Sequence, residues 1–201
     1  MRGKDAVRAL LESPEPGTHA ILWHDDSEDG DGAILAFLRG AIRRSDLTLI
    51  VLPHSDLDAL TDRMRAHGID FDALVDQGHL VRAAFEDIAP HRVSDLASSQ
   101  RDLQALREFA RSVGKKGLSI IGRTAPIYFE NGEGAMAAAV EEAAHEARGD
   151  ARILCLYNAR SLRADRFADA LAVTRMHTHA ITALGGGRFF VESVQRPLVV
   201  A

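Results

Sequence analysis

Residues 18–44, THAILWHDDSEDGDGAILAFLRGAIRR, join an apolar run (His19–Trp23) to a helical pattern (Ala33–Arg44) through a short polar loop. That is the layout of a strand, a phosphate loop and a helix. A phosphate cradle needs small glycines so that backbone N–H groups can surround the oxygens, a Lys for the terminal phosphates and a hydroxyl for Mg²⁺. This loop carries Asp25, Asp26, Glu28, Asp29 and Asp31 instead. A carboxylate about 5 Å from a phosphate charge costs on the order of a few kcal/mol at the effective dielectric of a protein surface. The segment keeps the architecture of a nucleotide-binding unit and lacks its chemistry.

Strand-like and helical runs alternate outward from this segment. On the N-terminal side, Lys4–Leu11 predicts a short helix ended by SPEPG at 13–17, so residues 1–17 read as a helix and linker and 18–201 as a single domain. On the C-terminal side, LTLIVL (Leu47–Leu52) is continuously apolar, as a strand covered on both faces should be. Helices are expected over 56–67, 99–113, 133–148 and 165–176, and strands over 79–85, 118–122 and 152–157, with a polar loop over 86–99 and an edge strand after Gly185–Gly187. Such alternation signals right-handed βαβ units and a mostly parallel sheet.

The chain has 201 residues, 46% hydrophobic and 26% charged, which suits a single sizeable core. A formal net charge of -5, with Arg and Lys spread along the chain, gives no footprint for direct nucleic-acid binding. Cys155 is the sole cysteine, so no internal disulfide forms. The N-terminus shows no signal-peptide pattern and no apolar run approaches the ~20 residues that span a bilayer. A cytoplasmic protein without membrane association is expected.

The order THAILWHDD, AFLRGAIRRSD, LTLIVLP, AHGID, QGHL, GLSIIG, LCLY and THA, from Thr18 to about Gly185, resembles the methanogen/methylotroph DcmR sensory (MEDS) domain, a degenerate relative of RecA- and KaiC-type ATPases. The resemblance implies a three-layer, RecA-like α/β sandwich with a mostly parallel central sheet, used for sensing small molecules rather than for hydrolysis. It also implies output through another protein, a kinase or transcription factor supplied in trans, since DNA-reading and kinase modules are absent from these residues. Assembly into a homo-oligomer is expected by analogy with RecA-like relatives. The chain departs from the family pattern in three places: Ser119 stands where an Arg is common, Arg123 where a Glu is, and His179-Ala180 where His-Pro is.

In open α/β sheets ligands bind beyond the carboxyl ends of the strands. The residues expected there, and taken as the ligand-binding set, are Trp23, His24, Asp25, Asp26, His54, Arg123 and Tyr157. Trp23, Phe129 and Tyr157 suit either an apolar ligand cavity or an ordinary aromatic core. His24 beside Asp25 is an imidazole–carboxylate pair of the sort found at metals. His177 and His179 fall on one side of an extended segment, a second two-ligand arrangement without a third ligand fixed by spacing, so surface or hydrogen-bonded histidines are the expected reading and no metal is assigned. A calcium-loop register starting at Asp25 fails at its twelfth place, Ala36, so the acids read as caps and hydrated groups around a helix starting near Gly32. Cys155, inside an apolar strand, reads as a core thiol.

These readings converge on a non-catalytic domain that binds an unidentified small molecule and regulates a partner protein, with no resident cofactor and no catalytic residue. Two alternatives stay open: a docking scaffold without a metabolite, and a residual nucleotide-binding or metal-assisted hydrolase.

Overall fold

The computed structural model describes residues 2–25, 27–88 and 96–194. The N-terminal half runs β1 (Arg2–Gly3), α1 (Lys4–Glu12), β2 (His19–His24), α2 (Glu28–Arg44), β3 (Asp46–Leu52), α3 (His54–Ala66), α4 (Phe71–Asp76) and β4 (Leu80–Ala84). Then follow α5 (Phe85–Ile88), α6 (Leu96–Ser112), β5 (Gly117–Gly122), α7 (Thr124–Glu130), α8 (Gly134–Ala147), β6 (Arg152–Asn158), α9 (Phe167–Arg175), β7 (His179–Ala183) and β8 (Arg188–Ser193).

The strands form one sheet in the order β1-β8-β7-β2-β6-β5-β3-β4. From β7 to β4 all neighbours are parallel, and β8 alone runs antiparallel to both of its own. β2 is buried along its whole length and β3 at all but one position, which explains their unbroken apolar character.

Alternation along each strand sorts side chains into two cores. On one face Ala20, Leu22, Ile50, Leu52, Leu154 and Leu156 pack under α1, α2, α3 and α4. On the other, Ile21, Trp23, Ile153, Cys155 and Tyr157 pack under α7, α8 and α9, and Leu47 and Leu118 under α6. Two helical layers enclose the sheet.

Three local features differ from the sequence expectations. α2 begins at Glu28, not near Gly32: Glu28, Asp29 and Asp31 occupy its first turn, where the partial positive charge of the helix terminus favours acids. Rather than capping or staying hydrated, Asp29 and Asp31 are buried, and Ser27 at the N-cap makes no side-chain capping bond. Asp31 accepts from Arg63 Nε of α3 at 2.9 Å, and Asp29 from the Gly187 N–H at 2.8 Å. Gly185, Gly186 and Gly187 all have positive φ (76°, 63° and 74°), a run that only glycine adopts without strain, and they turn β7 back into β8. The expected polar loop over 86–99 is interrupted at both ends, by α5 and by the start of α6; residues 89–95 lie outside the described residues. α7 was not anticipated from the sequence.

Candidate functional site

His24 and Arg123, from the carboxyl ends of β2 and β5, converge on a crevice of about 180 Å³ with Leu52, Asp56, Leu60, Arg63 and Leu156. His24 packs over the first turn of α2, where a Cβ on Gly30 would lie 3.0 Å from its own Cβ. The crevice cations are already matched. The Arg123 guanidinium bonds Asp56 and reaches Glu130 at 2.6 and 2.8 Å, and Arg63 holds Asp31. A phosphate would have to displace these carboxylates.

The other expected residues do not share this crevice. Asp25 is exposed beside it, and Asp26 lies outside the described residues. His54 is exposed at the start of α3, where its N–H donates to Glu86 and its ring sits 3.5 Å from Asp87. Trp23 and Tyr157 point to the opposite face, because each precedes or follows the crevice residue by one position in a strand. There they pack edge-to-face against Phe129 and tilted against each other (centroids 4.7 to 5.7 Å apart) in the core, as an ordinary aromatic core would.

On that opposite face lies a cavity of about 140 Å³ between α6, α7, α8 and strands β3, β5 and β6. Its walls are mainly apolar, with Leu49, Val51, Leu103, Leu106, Ile120 and Val140 among them, and Ser99, Asp102, Thr124, Glu141 and Cys155 bring polar groups to it.

Glu141 and Cys155 also belong to a buried polar cluster. His19 Nε2 is 3.1 Å from Glu141 Oε2 and 3.3 Å from Cys155 Sγ, Cys155 Sγ is 3.3 Å from Glu141 Oε2, and His177 Nε2 is 3.4 Å from the same oxygen. His19 and His177 are 0% exposed and Glu141 1%. Their remaining polar atoms are occupied. The Tyr157 hydroxyl donates to Glu141 Oε1 at 2.8 Å, His177 Nδ1 lies 2.8 Å from the Val173 carbonyl, and His19 Nδ1 lies 3.4 Å from His145 Nδ1.

Burial and the neighbouring His177 push the His19 imidazole down to about 4 despite Glu141. Burial alone would raise the Glu141 carboxyl, but attraction to His177 and contact with His19 outweigh it and hold the group below the ordinary carboxylate range. Burial, then the charge of Glu141, raises the Cys155 thiol and the Tyr157 hydroxyl.

The two-ligand arrangement weighed for His177 and His179 does not form. His177 lies in the bend ahead of β7 and joins His19 and Glu141, whereas His179 opens β7 beside Ala20 and meets Thr178 Oγ1 at 3.0 Å. Sequence reading missed His19 and Glu141, though each left a signal. His19 is an imidazole at the head of a fully buried strand, and Ala137, Glu141 and His145 form an i, i+4, i+8 stripe that places an acid and an imidazole on the buried face of α8.

A parallel sheet in this order, layered by helices on both faces and with its central strand leading into α2, defines a RecA-like α/β domain. The fold is shared with solved structures at low sequence identity. A protein of Pyrococcus horikoshii OT3 studied as PH0250 superposes with a TM-score of 0.61 at 7% identity, over 96% of this chain and 94% of that one. The KaiC-like protein PH0186 of the same organism gives 0.57 at 13%, over 90% and 81%. The flagellar accessory protein FlaH of Methanocaldococcus jannaschii gives 0.50 at 15%, over 94% and 82%. Among curated proteins none matches the chain. Residues 18–177 match the model of the MEthanogen/methylotroph, DcmR Sensory domain, and the chain belongs to this MEDS family.

Proposed function

We propose that this MEDS domain senses a small, largely apolar molecule held in the cavity between α6, α8 and the sheet, and that a separate regulatory protein, a kinase or transcription factor, reads its occupancy. The cavity carries this reading. At about 140 Å³ it is close to the roughly 150 Å³ of an apolar cavity that accepts benzene, and its mainly aliphatic wall favours apolar groups while Ser99, Asp102, Thr124, Glu141 and Cys155 offer a few polar contacts. The family supports sensing as the role. Support for a non-catalytic domain comes from the acidic turn of α2 and the paired state of Arg63 and Arg123, which leave no described cation facing the crevice without a carboxylate.

Among the described residues no helix is long and apolar enough to cross a membrane, which fits the cytoplasmic placement we assign. Exposed Phe167 and Leu171, one turn apart on α9, offer an apolar contact for the regulatory partner or a second copy. A second reading, in which a polar ligand enters the strand-end crevice, is favoured by the convergence of His24 and Arg123 there.

Thermal melts of the full chain against benzene-sized and smaller organic molecules test the first reading. A ligand at 100 times its dissociation constant should stabilise by about 2.7 kcal/mol. Ala144→Leu, which fills the cavity from α8, should abolish that response with the fold intact, whereas His24→Ala should leave it unchanged. Loss of the response in His24→Ala alone would transfer the ligand to the crevice, and no response to any small organic molecule would overturn the sensing assignment at the cavity.

A further inference from the structure

We propose that His19 Nε2, His177 Nε2, Glu141 Oε2 and Cys155 Sγ form a four-ligand site for a divalent transition metal, with Zn²⁺ the best chemical fit. The site goes beyond the sensing assignment and does not depend on it. All four atoms lie within 4.8 Å of one another. Tetrahedral Zn²⁺ with nitrogen and oxygen ligands near 2.0 Å and sulfur near 2.3 Å spaces those ligands about 3.3 to 3.6 Å apart. Of the six pairs these atoms form, four measure 3.1 to 3.4 Å, and those of His177 with His19 and with Cys155 stay within 4.8 Å.

The outer contacts argue in the same direction. At a metal centre, the atom of a ligating side chain that does not bind the metal is held by a neighbour, which fixes the ring or carboxylate orientation. Here the Val173 carbonyl lies 2.8 Å from His177 Nδ1, His145 faces His19 Nδ1, and the Tyr157 hydroxyl donates to Glu141 Oε1. That leaves His177 Nε2, fully buried and aimed into the cluster, with no well-formed hydrogen bond among the described residues, only the long 3.4 Å approach to Glu141 Oε2.

Charge selects the ion. Two neutral imidazoles, one carboxylate and one thiolate carry two negative charges, which a divalent cation balances in a core where an uncompensated ion is costly. On binding, the Cys155 thiol forms a sulfur–metal bond and its proton leaves to solvent. Mixed imidazole, thiolate and carboxylate donors suit Zn²⁺ and its Co²⁺ surrogate better than Mg²⁺ or Ca²⁺, which take oxygen ligands. The cavity bordered by Glu141 and Cys155 supplies an entry path.

The test is titration of the chelator-treated full chain with Co²⁺ and, in parallel, Zn²⁺, with no organic ligand present, so that its outcome is separate from that of the cavity assignment. One equivalent of Co²⁺ should bind, with intense visible bands of tetrahedral cobalt and a near-ultraviolet thiolate band, and Zn²⁺ should displace it and raise the melting temperature. Cys155→Ser should lose the thiolate band, and His177→Gln should weaken binding at least tenfold, each with unchanged circular dichroism. Should either variant fail to fold, the wild-type spectrum decides alone, because only sulfur coordination gives the thiolate band. A wild-type chain that binds neither ion, or a spectrum that survives in both variants, would overturn the site.

Discussion

Within β2, one position separates two unrelated environments: Trp23 belongs to the aromatic core under α7 and α8, and His24 to the crevice beside α2 and α3. Adjacent sequence suggested a shared site, and the two-residue period of the strand forbids it. The same period brings His19, Cys155 and Tyr157 to one side, where Glu141 meets all three. Tyr157→Phe removes the hydroxyl from Glu141 Oε1 without changing shape, leaving a buried acceptor unmatched. We expect a loss of about 2 kcal/mol of stability, read as a lowered urea midpoint at unchanged slope. An unaltered midpoint would mean that this oxygen finds another donor. The residue-level content of the sequence was thus partly legible: burial of Cys155 could be read from its apolar neighbours, but its partners arrive from α8, β2 and the bend before β7, and no local pattern reveals their distance.

At the scale of elements, β2, β3, β5 and β6 were readable because each is a compact apolar run followed by helical periodicity, and their boundaries agree within a residue or two. β7 is only five residues, HAITA, too short for Ile181 and Thr182 to set up a strand pattern, and α7 carries Pro126, a residue that reads as a breaker unless it falls in the first turn. α1 is tied in more closely than a leading helix on a linker requires. Val7 and Leu11 are buried in the core beneath α2, and Arg44 Nη1 donates to the Glu12 carbonyl at 2.8 Å. The approach depends on Gly40, where an added Cβ would overlap the Glu12 carbonyl oxygen. Gly40→Ala should therefore lower stability by about 1 to 3 kcal/mol, the usual range for overpacking, even though alanine is the better helix former. A melting temperature equal to or above that of the parent would show that α1 slides without cost.

For the molecule as a whole, the fold kept by RecA-like proteins is present with residues 28–31 folded into α2 and Asp29 and Asp31 turned inward. Mg²⁺ with ATP should leave the melting temperature unchanged, since Asp56, Glu130 and Asp31 already occupy the crevice arginines. A magnesium-dependent rise would restore a nucleotide role and displace the sensing assignment. Sheet order was not legible from composition or periodicity. It takes long crossovers to place β2 between β6 and β7, and it is that placement which brings His19, Cys155 and His177 into the polar cluster.

Thr178 donates its N–H to the His19 carbonyl and accepts from the His19 N–H across 159 positions of chain. Closing so distant a pair is slow compared with forming local helices. During synthesis, a nascent polypeptide would hold His19 for most of its elongation before His177 could reach it, so the histidine pair can close only once most of the domain has been made.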